Sequence, residues 1–281
     1  MLSRLGVVGP VVCLCVFSLV PAVAAEKPQD VSFEAGKYRL HGCVWTPEGS
    51  GPYPVIIYNH GSEQDPKPCG PPDLGAFYQK HGWAFFAFQR HGHGPSPGEY
   101  IGDLQKKAFA TAPGRAEAQE EINRLHERYN LDVEAAVGWV KQQKWTDTGR
   151  IVMTGISYGG IQTLLTAEKG LGLRAFLPFA PAAQSWNPVL AERLKEAIRK
   201  ARGPIFLIQA QNDYSLEPSK VLGAELARKG PPNHAKIYPP FGTTTQMGHG
   251  WFGSRAAGIE VWSADVIAFL DATVGMRRED R

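Results

Sequence analysis

Past residue 25 the sequence contains no apolar run close to the roughly 20 consecutive residues that a membrane helix needs, which excludes a later span. It also lacks internal repeats, blocks of like charge and low-complexity linkers, so nothing in it asks for more than one domain. Charge is nearly balanced: 30 Lys and Arg against 27 Asp and Glu give +3, and subtracting Arg4 leaves about +2 for the rest. Such a balance offers no electrostatic footprint for nucleic acid. Cysteine is sparse, with four in 281 residues. Cys13 and Cys15 follow Val12 and Leu14 rather than the small residue a lipoprotein signal requires, which argues against lipidation. Cys43 and Cys69 remain. In an oxidising compartment they form a disulfide; the alternative is two separate small buried residues, and spacing does not choose between them. A metal site is poorly provided for as well. His91 and His93, in Arg90-His91-Gly92-His93-Gly94, have no nearby Cys, Asp or Glu to complete a tetrahedral set, and a glycine-rich turn at an active-site rim is the better reading.

What is present begins with a leader. Arg4, an apolar stretch over 5–20 and the small residues Ala22-Val23-Ala24 have the layout of a cleavable secretory signal, with the mature chain starting near Ala25 or Glu26. The alternative, a retained anchor, has a short apolar run against it. Residues 1–25 are therefore expected to be a signal peptide and 26–281 one catalytic domain, secreted or periplasmic and without a stable membrane anchor. A chain of about 256 residues is long enough for one large α/β core.

Along that domain strands are expected at 31–33, 38–45, 55–58, 83–88, 150–154, 175–179, 204–210 and 235–238. Helices are expected at 73–81, stopped by Gly82, and at 116–143, 161–167, 188–202, 218–228 and 263–274. In the longest helix Ile122, Leu125, Tyr129, Val133, Ala136, Val137 and Val140 form a core-facing stripe. Residues 100–115 lack clear periodicity and read as a mobile rim or lid segment. Strands alternating with helices predict a mostly parallel sheet covered on both faces.

The chemistry centres on Gly155-Ile156-Ser157-Tyr158-Gly159-Gly160, which follows an apolar strand and opens an apolar helix. The G-x-S-x-G pattern is the nucleophile elbow, a tight strand-to-helix turn whose flanking positions have no room for side chains. Ser157 is the candidate nucleophile. The N–H of Tyr158, at the start of the following helix, is a candidate oxyanion donor. A second match, Gly94-Pro95-Ser96-Pro97-Gly98, places a proline after the serine. Proline has no N–H to donate and no helical run follows, so Ser96 reads as a turn residue. After the strand at 55–58 comes Asn59-His60-Gly61-Ser62, where this architecture supplies its second oxyanion donor. The Ser62 N–H is the candidate there, and His60 reads as a brace for the loop.

A serine needs a base, and the base an orienting acid. Asp213 follows the strand at 204–210, and His249 stands between glycines in Gly248-His249-Gly250 after the last strand. The order Ser157, Asp213, His249 is the one that goes with a strand-turn-helix nucleophile elbow, distinct from the two serine-protease orders. Glu217 is an alternative acid.

The motifs Asn59-His60-Gly61-Ser62, Gly155 to Gly160, Gln211-Asn212-Asp213 and Gly248-His249-Gly250 resemble those of dienelactone-hydrolase-like members of the α/β-hydrolase superfamily. Dienelactone hydrolases proper carry cysteine where this chain has Ser157, and the Ser-Tyr-Gly-Gly wording is also similar to prolyl-oligopeptidase-type peptidases. The resemblance implies an α/β-hydrolase fold with an eight-stranded sheet and hydrolysis through an acyl-enzyme. The expected activity is a serine carboxylic ester hydrolase acting on a small-molecule ester, with no metal or organic cofactor. A peptidase or amidase, an acyltransferase and a non-catalytic binding protein on the same scaffold are the rival readings. Trp186, Trp251, Phe252 and Tyr100 are either pocket or core residues.

Overall fold

The computed structural model describes residues 27–275; the expected leader at 1–25 lies outside them. Eight strands make one sheet: β1 (Gln29–Ala35), β2 (Tyr38–Trp45), β3 (Tyr53–Asn59), β4 (Ala84–Gln89), β5 (Thr146–Ile156), β6 (Ala175–Phe179), β7 (Phe206–Ala210) and β8 (His234–Tyr238). Their order is β1-β2-β4-β3-β5-β6-β7-β8. β2 runs antiparallel to both of its neighbours, and the other pairings are parallel. The expected α/β fold, a mostly parallel eight-stranded sheet between helices, is what forms.

The central strands are continuous apolar runs because both of their faces are covered. Alternate residues feed two separate cores. Val55 and Ile57 of β3 join one, with Leu125 and Tyr129 of α3 (Arg115–Lys141), Leu164 of α4 (Tyr158–Ala167), Leu194 of α5 (Pro188–Lys200) and Leu226 of α6 (Glu217–Lys229). Ile56 and Tyr58 join the other, with Tyr78 of α1 (Pro72–Lys80), Phe252 of α7 (Phe252–Ser254) and Trp262 of α8 (Ala256–Thr273). All seven stripe residues of α3 are buried. Among the described residues no helix is long and apolar enough to cross a membrane.

Two local expectations are corrected. Residues 101–111, which lack clear periodicity, form a helix, α2 (Ile101–Thr111); it buries only Ile101 and Ala108, two turns apart, so the sequence shows no stripe. α8 begins seven residues earlier than 263. Its first N–H groups have no local side-chain cap; Asp73 of α1 accepts from the Ala256 N–H at 2.9 Å, a cap that exists only in the folded chain. The question of Cys43 and Cys69 is also answered: they are joined in a disulfide.

Several histidines are built into the interior uncharged. Burial, reinforced by the Arg90 charge, lowers His126 to about 4 and His93 to about 3, and holds His60 well below the ordinary imidazole range. Each has a folded value below its unfolded one, so the unfolded chain binds more protons between the two. Stability is complete above about pH 6.5 and is lost as pH falls toward 4. For His126 alone the loss at pH 5 is about 2 kcal/mol, or about 4–8 °C in Tm for a domain of this size. Thermal unfolding of the wild type and His126→Phe at pH 7 and pH 5 tests this. The variant should lose several degrees less on acidification, and parallel losses would place the acid sensitivity elsewhere.

Candidate active site

Ser157 sits between the end of β5 and the start of α4, with φ 59° and ψ −116°. Its N–H donates to the Phe179 carbonyl at 2.9 Å and its carbonyl accepts from Ile161 N–H at 3.2 Å, so the turn is pinned on both sides. The flanking glycines have a steric cause. A Cβ on Gly155 would lie 2.4 Å from the Gly159 carbonyl oxygen, and one on Gly159 would lie 1.9 Å from that of Asn59. The helix start therefore presses directly on the main chain of Asn59 and His60, and Ser157 shares a cavity wall with Gly61 and Ser62.

Asp213 is two residues beyond the Gln211 that follows β7, and its carboxylate is wholly enclosed. Oδ1 accepts from His249 Nδ1 at 2.8 Å and from the Tyr214 N–H at 2.6 Å, while Oδ2 accepts from Gln209 Nε2 at 2.7 Å. This pairing selects Asp213 over Glu217 as the partner of His249. His249 is not on an open loop as its glycine neighbours suggested. It lies on a π-helical turn, Met247–Trp251, in which Gly248 packs where a Cβ would meet the Asn212 Oδ1 at 2.5 Å. Asn212 ties that turn down by accepting from the Phe241 N–H and donating to the carbonyls of Phe241 and Thr244. His249 Nε2 is buried and has no hydrogen-bond partner among the described residues.

Ser157, His249, Gly61 and Ser62 line one cavity of about 560 Å³, together with Tyr58, Tyr100, Gln184 and Trp251. Glu63, Lys67 and Arg255 are also on its wall. Of the four aromatic residues considered from sequence, Tyr100 and Trp251 line it, Phe252 is core, and Trp186 packs against the other core. Tyr158 forms no part of the wall. Its ring is buried under the Arg90 guanidinium, 4.7 Å away, and only its main-chain N–H, at the first position of α4, remains available as a donor.

The second G-x-S-x-G serine is a structural brace. Ser96 Oγ donates to the Gln89 carbonyl at 2.8 Å and accepts from the His41 N–H at 3.0 Å, stitching the turn to β2 and β4. The neighbouring histidines face separate partners: His91 Nδ1 meets Asp132 at 2.7 Å, and His93 Nδ1 meets the His91 carbonyl at 3.1 Å.

Two residues escaped the sequence reading. Gln209 is the one polar residue of β7; it donates to Asp213 and to the Ser215 carbonyl and accepts from the Ser219 hydroxyl. A glutamine inside a buried apolar strand was a usable signal. Arg90, fully buried beyond the end of β4, is the other.

Comparison with known proteins places this arrangement in context. Residues 36–221 match the X-Pro dipeptidyl-peptidase (S15 family). The matched segment contains Ser157 and Asp213 and ends before His249. No curated protein sequence matches the chain. Among solved structures, the α/β hydrolase GrgF from Penicillium sp. sh18 is similar at 14% identity, covering 89% of this chain and 100% of that one with a TM-score of 0.66. Est1E from Butyrivibrio proteoclasticus, solved with ferulic acid bound, is 15% identical over 88% of this chain and 100% of its own, with a TM-score of 0.63. The acylaminoacyl peptidase of Pyrococcus horikoshii is 15% identical over 91% of this chain but only 43% of its own, with a TM-score of 0.66. At these identities the likeness is one of fold.

Proposed function

The chain belongs to the X-Pro dipeptidyl-peptidase (S15) family of serine hydrolases, and from that premise we propose that it hydrolyses carboxylic esters through an acyl-enzyme on Ser157. The observation that carries this reading is the His249–Asp213 hydrogen bond, with His249 Nε2 left unpartnered in the cavity that Ser157 lines. With Nδ1–H held by Asp213, Nε2 carries the lone pair that can accept the serine proton. Ser157 Oγ attacks the acyl carbonyl as its proton passes to Nε2, and the Tyr158 and Ser62 N–H groups receive the oxyanion. His249 then returns the proton to the leaving alcohol, and water, deprotonated by the same nitrogen, releases the acid.

The ester reading is supported by the aromatic wall of Tyr58, Tyr100 and Trp251, by the esterases among similar folds, and by the motif resemblance to dienelactone-hydrolase-like enzymes. A second reading, cleavage of peptides after an X-Pro pair, is favoured by the family match. The two share the nucleophile and differ in leaving group. The proposal includes export after removal of residues 1–25, supported by the leader's layout and by the Cys43–Cys69 disulfide, a bond that oxidising compartments preserve.

Intact-mass analysis after treatment with a fluorophosphonate tests the core of this reading. The expected result is one adduct, mapped to Ser157 and lost in Ser157→Ala and His249→Ala, on a chain whose mass lacks the leader. No adduct on folded wild type would sink the catalytic reading and favour a binding protein on this scaffold. Parallel assays with p-nitrophenyl esters and an X-Pro p-nitroanilide then choose between leaving groups; turnover of the anilide alone would establish the peptidase.

A further inference from the structure

Arg90 is a fully buried cation whose side chain bonds no carboxylate among the described residues, although the charges of Glu63 and Asp132 act on it from farther away. Its Nη2 lies 2.9 Å from the His60 carbonyl and 2.7 Å from the Gly61 carbonyl, while Nε and Nη1 have no hydrogen-bond partner among the described residues. Such a group is expensive to bury, and burial lowers its pKa from the ordinary guanidinium value. Its surroundings define what it holds. The Tyr158 ring lies beneath it, and the His60 ring is locked beside it: Nε2 accepts the Arg90 main-chain N–H at 3.2 Å, which places the proton on Nδ1, donated to the Gly61 carbonyl at 2.9 Å. Since Nδ1 carries that proton, Nη2, 3.0 Å from it, donates to the two carbonyls rather than to the ring.

The consequence follows from peptide geometry. In a trans peptide the C=O and the next N–H point in opposite directions. Arg90 holds the Gly61 carbonyl from outside the cavity, whereas Gly61 and Ser62 form part of its wall. The Ser62 N–H is thereby turned from the guanidinium toward the cavity. The following carbonyl is held as well, since Ser62 accepts from the Tyr100 hydroxyl at 2.6 Å. A cationic donor on the Gly61 oxygen also polarises that peptide and strengthens the Ser62 N–H as a donor.

We propose that Arg90 is a positioning residue for acyl transfer: it aims and polarises the Ser62 N–H at the developing oxyanion by clamping the His60 and Gly61 carbonyls. The inference rests on the serine-hydrolase reading above. It predicts that Arg90 acts on the transition state and leaves substrate binding alone.

The test compares wild type, Arg90→Lys and Arg90→Met on one p-nitrophenyl ester, with far-UV circular dichroism and Tm as folding controls. Losing one oxyanion donor lowers kcat by about 10²–10³-fold in comparable sites. Misaiming one should give about 10–100-fold for Arg90→Met, with KM within about threefold of wild type. Arg90→Lys, which keeps the charge but ends in an ammonium on a shorter stem than the guanidinium whose Nη2 reaches both carbonyls, should fall between. The inhibition constant of a trifluoromethyl ketone, which forms a tetrahedral oxyanion on the serine, should rise in step with the loss of kcat/KM. A merely structural arginine would not couple these quantities. Folded Arg90→Met with wild-type kcat, a loss confined to KM, or unchanged ketone affinity despite a lower kcat would each overturn the proposal. If Arg90→Met does not fold, Arg90→Lys decides; if neither folds, Arg90 is a determinant of the fold and the proposal fails. An inert wild type would remove the functional reading itself, whereas an active wild type with unaffected Arg90 variants removes this inference alone.

Discussion

Ser157→Ala is expected to lower kcat for ester hydrolysis by on the order of 10⁶-fold, as losing the nucleophile does in a comparable triad. The loss should appear in kcat, because the cavity wall of Tyr58, Ser62, Tyr100 and Trp251 beside Ser157 is untouched. A stability measurement on two variants makes the prediction sharper. Ser157 has φ 59°, a region in which a side chain costs roughly 1–2 kcal/mol. The turn cannot relax out of it, since the Ser157 N–H and carbonyl are both bonded, to Phe179 and Ile161. Ser157→Gly should therefore be as inactive as Ser157→Ala yet more stable by about 1 kcal/mol, or roughly 2–4 °C in Tm. Glycine normally weakens a chain relative to alanine, so the sign is diagnostic. An alanine variant equal to or above the glycine variant would mean that the elbow is not strained as described, and retained activity in either would remove Ser157 as the nucleophile.

Asp213→Asn should reduce kcat by about 10⁴-fold, the scale seen when a triad aspartate is neutralised in place. The surroundings of Asp213 explain why so small a change would matter. Three donors converge on the carboxylate: His249 Nδ1 and the Tyr214 N–H on Oδ1, and Gln209 Nε2 on Oδ2. An asparagine offers one oxygen and one NH₂ to these three donors. With its NH₂ toward His249 it also opposes the Tyr214 N–H, forces the imidazole proton onto Nε2 and removes the lone pair that accepts from serine. With its oxygen toward His249 the tautomer survives, but the charge that stabilises the imidazolium is gone and the NH₂ faces Gln209. Gln209 is itself held by Ser215 and Ser219. Gln209→Leu should consequently weaken the same step by a smaller factor, with Tm reporting how much of the loss is structural. Activity of Asp213→Asn within tenfold of wild type would show that the acid is another group, with Glu217 the first to examine.

The candidate site was unevenly legible from the sequence. Ser157 announced itself because a nucleophile elbow excludes Cβ atoms at fixed offsets, and Gly155 and Gly159 are where a Cβ would collide with main chain. Asp213 and His249 could be placed by chain order and by their positions after strands, though not the hydrogen bond between them. The π-helical turn carrying His249 left no periodic trace, and α2 left almost none because it buries only two residues. The cap on α8 was invisible for a different reason: Asp73 is far away in sequence.

What the sequence determined by itself was what acts over a few residues: the strand and helix periods, the glycines that a tight turn demands and the stop of α1 at Gly82. Those are steric and hydrophobic constraints between near neighbours, so they are written in consecutive letters. Only the tertiary structure decided which buried polar atoms satisfy one another: Cys43 with Cys69, Asp213 rather than Glu217 with His249, Gln209 beneath Asp213, and Arg90 on the loop of Gly61 and Ser62. A hydrogen bond depends on position to within tenths of an ångström, and that position is set by the register of strands whose residues lie tens of positions apart.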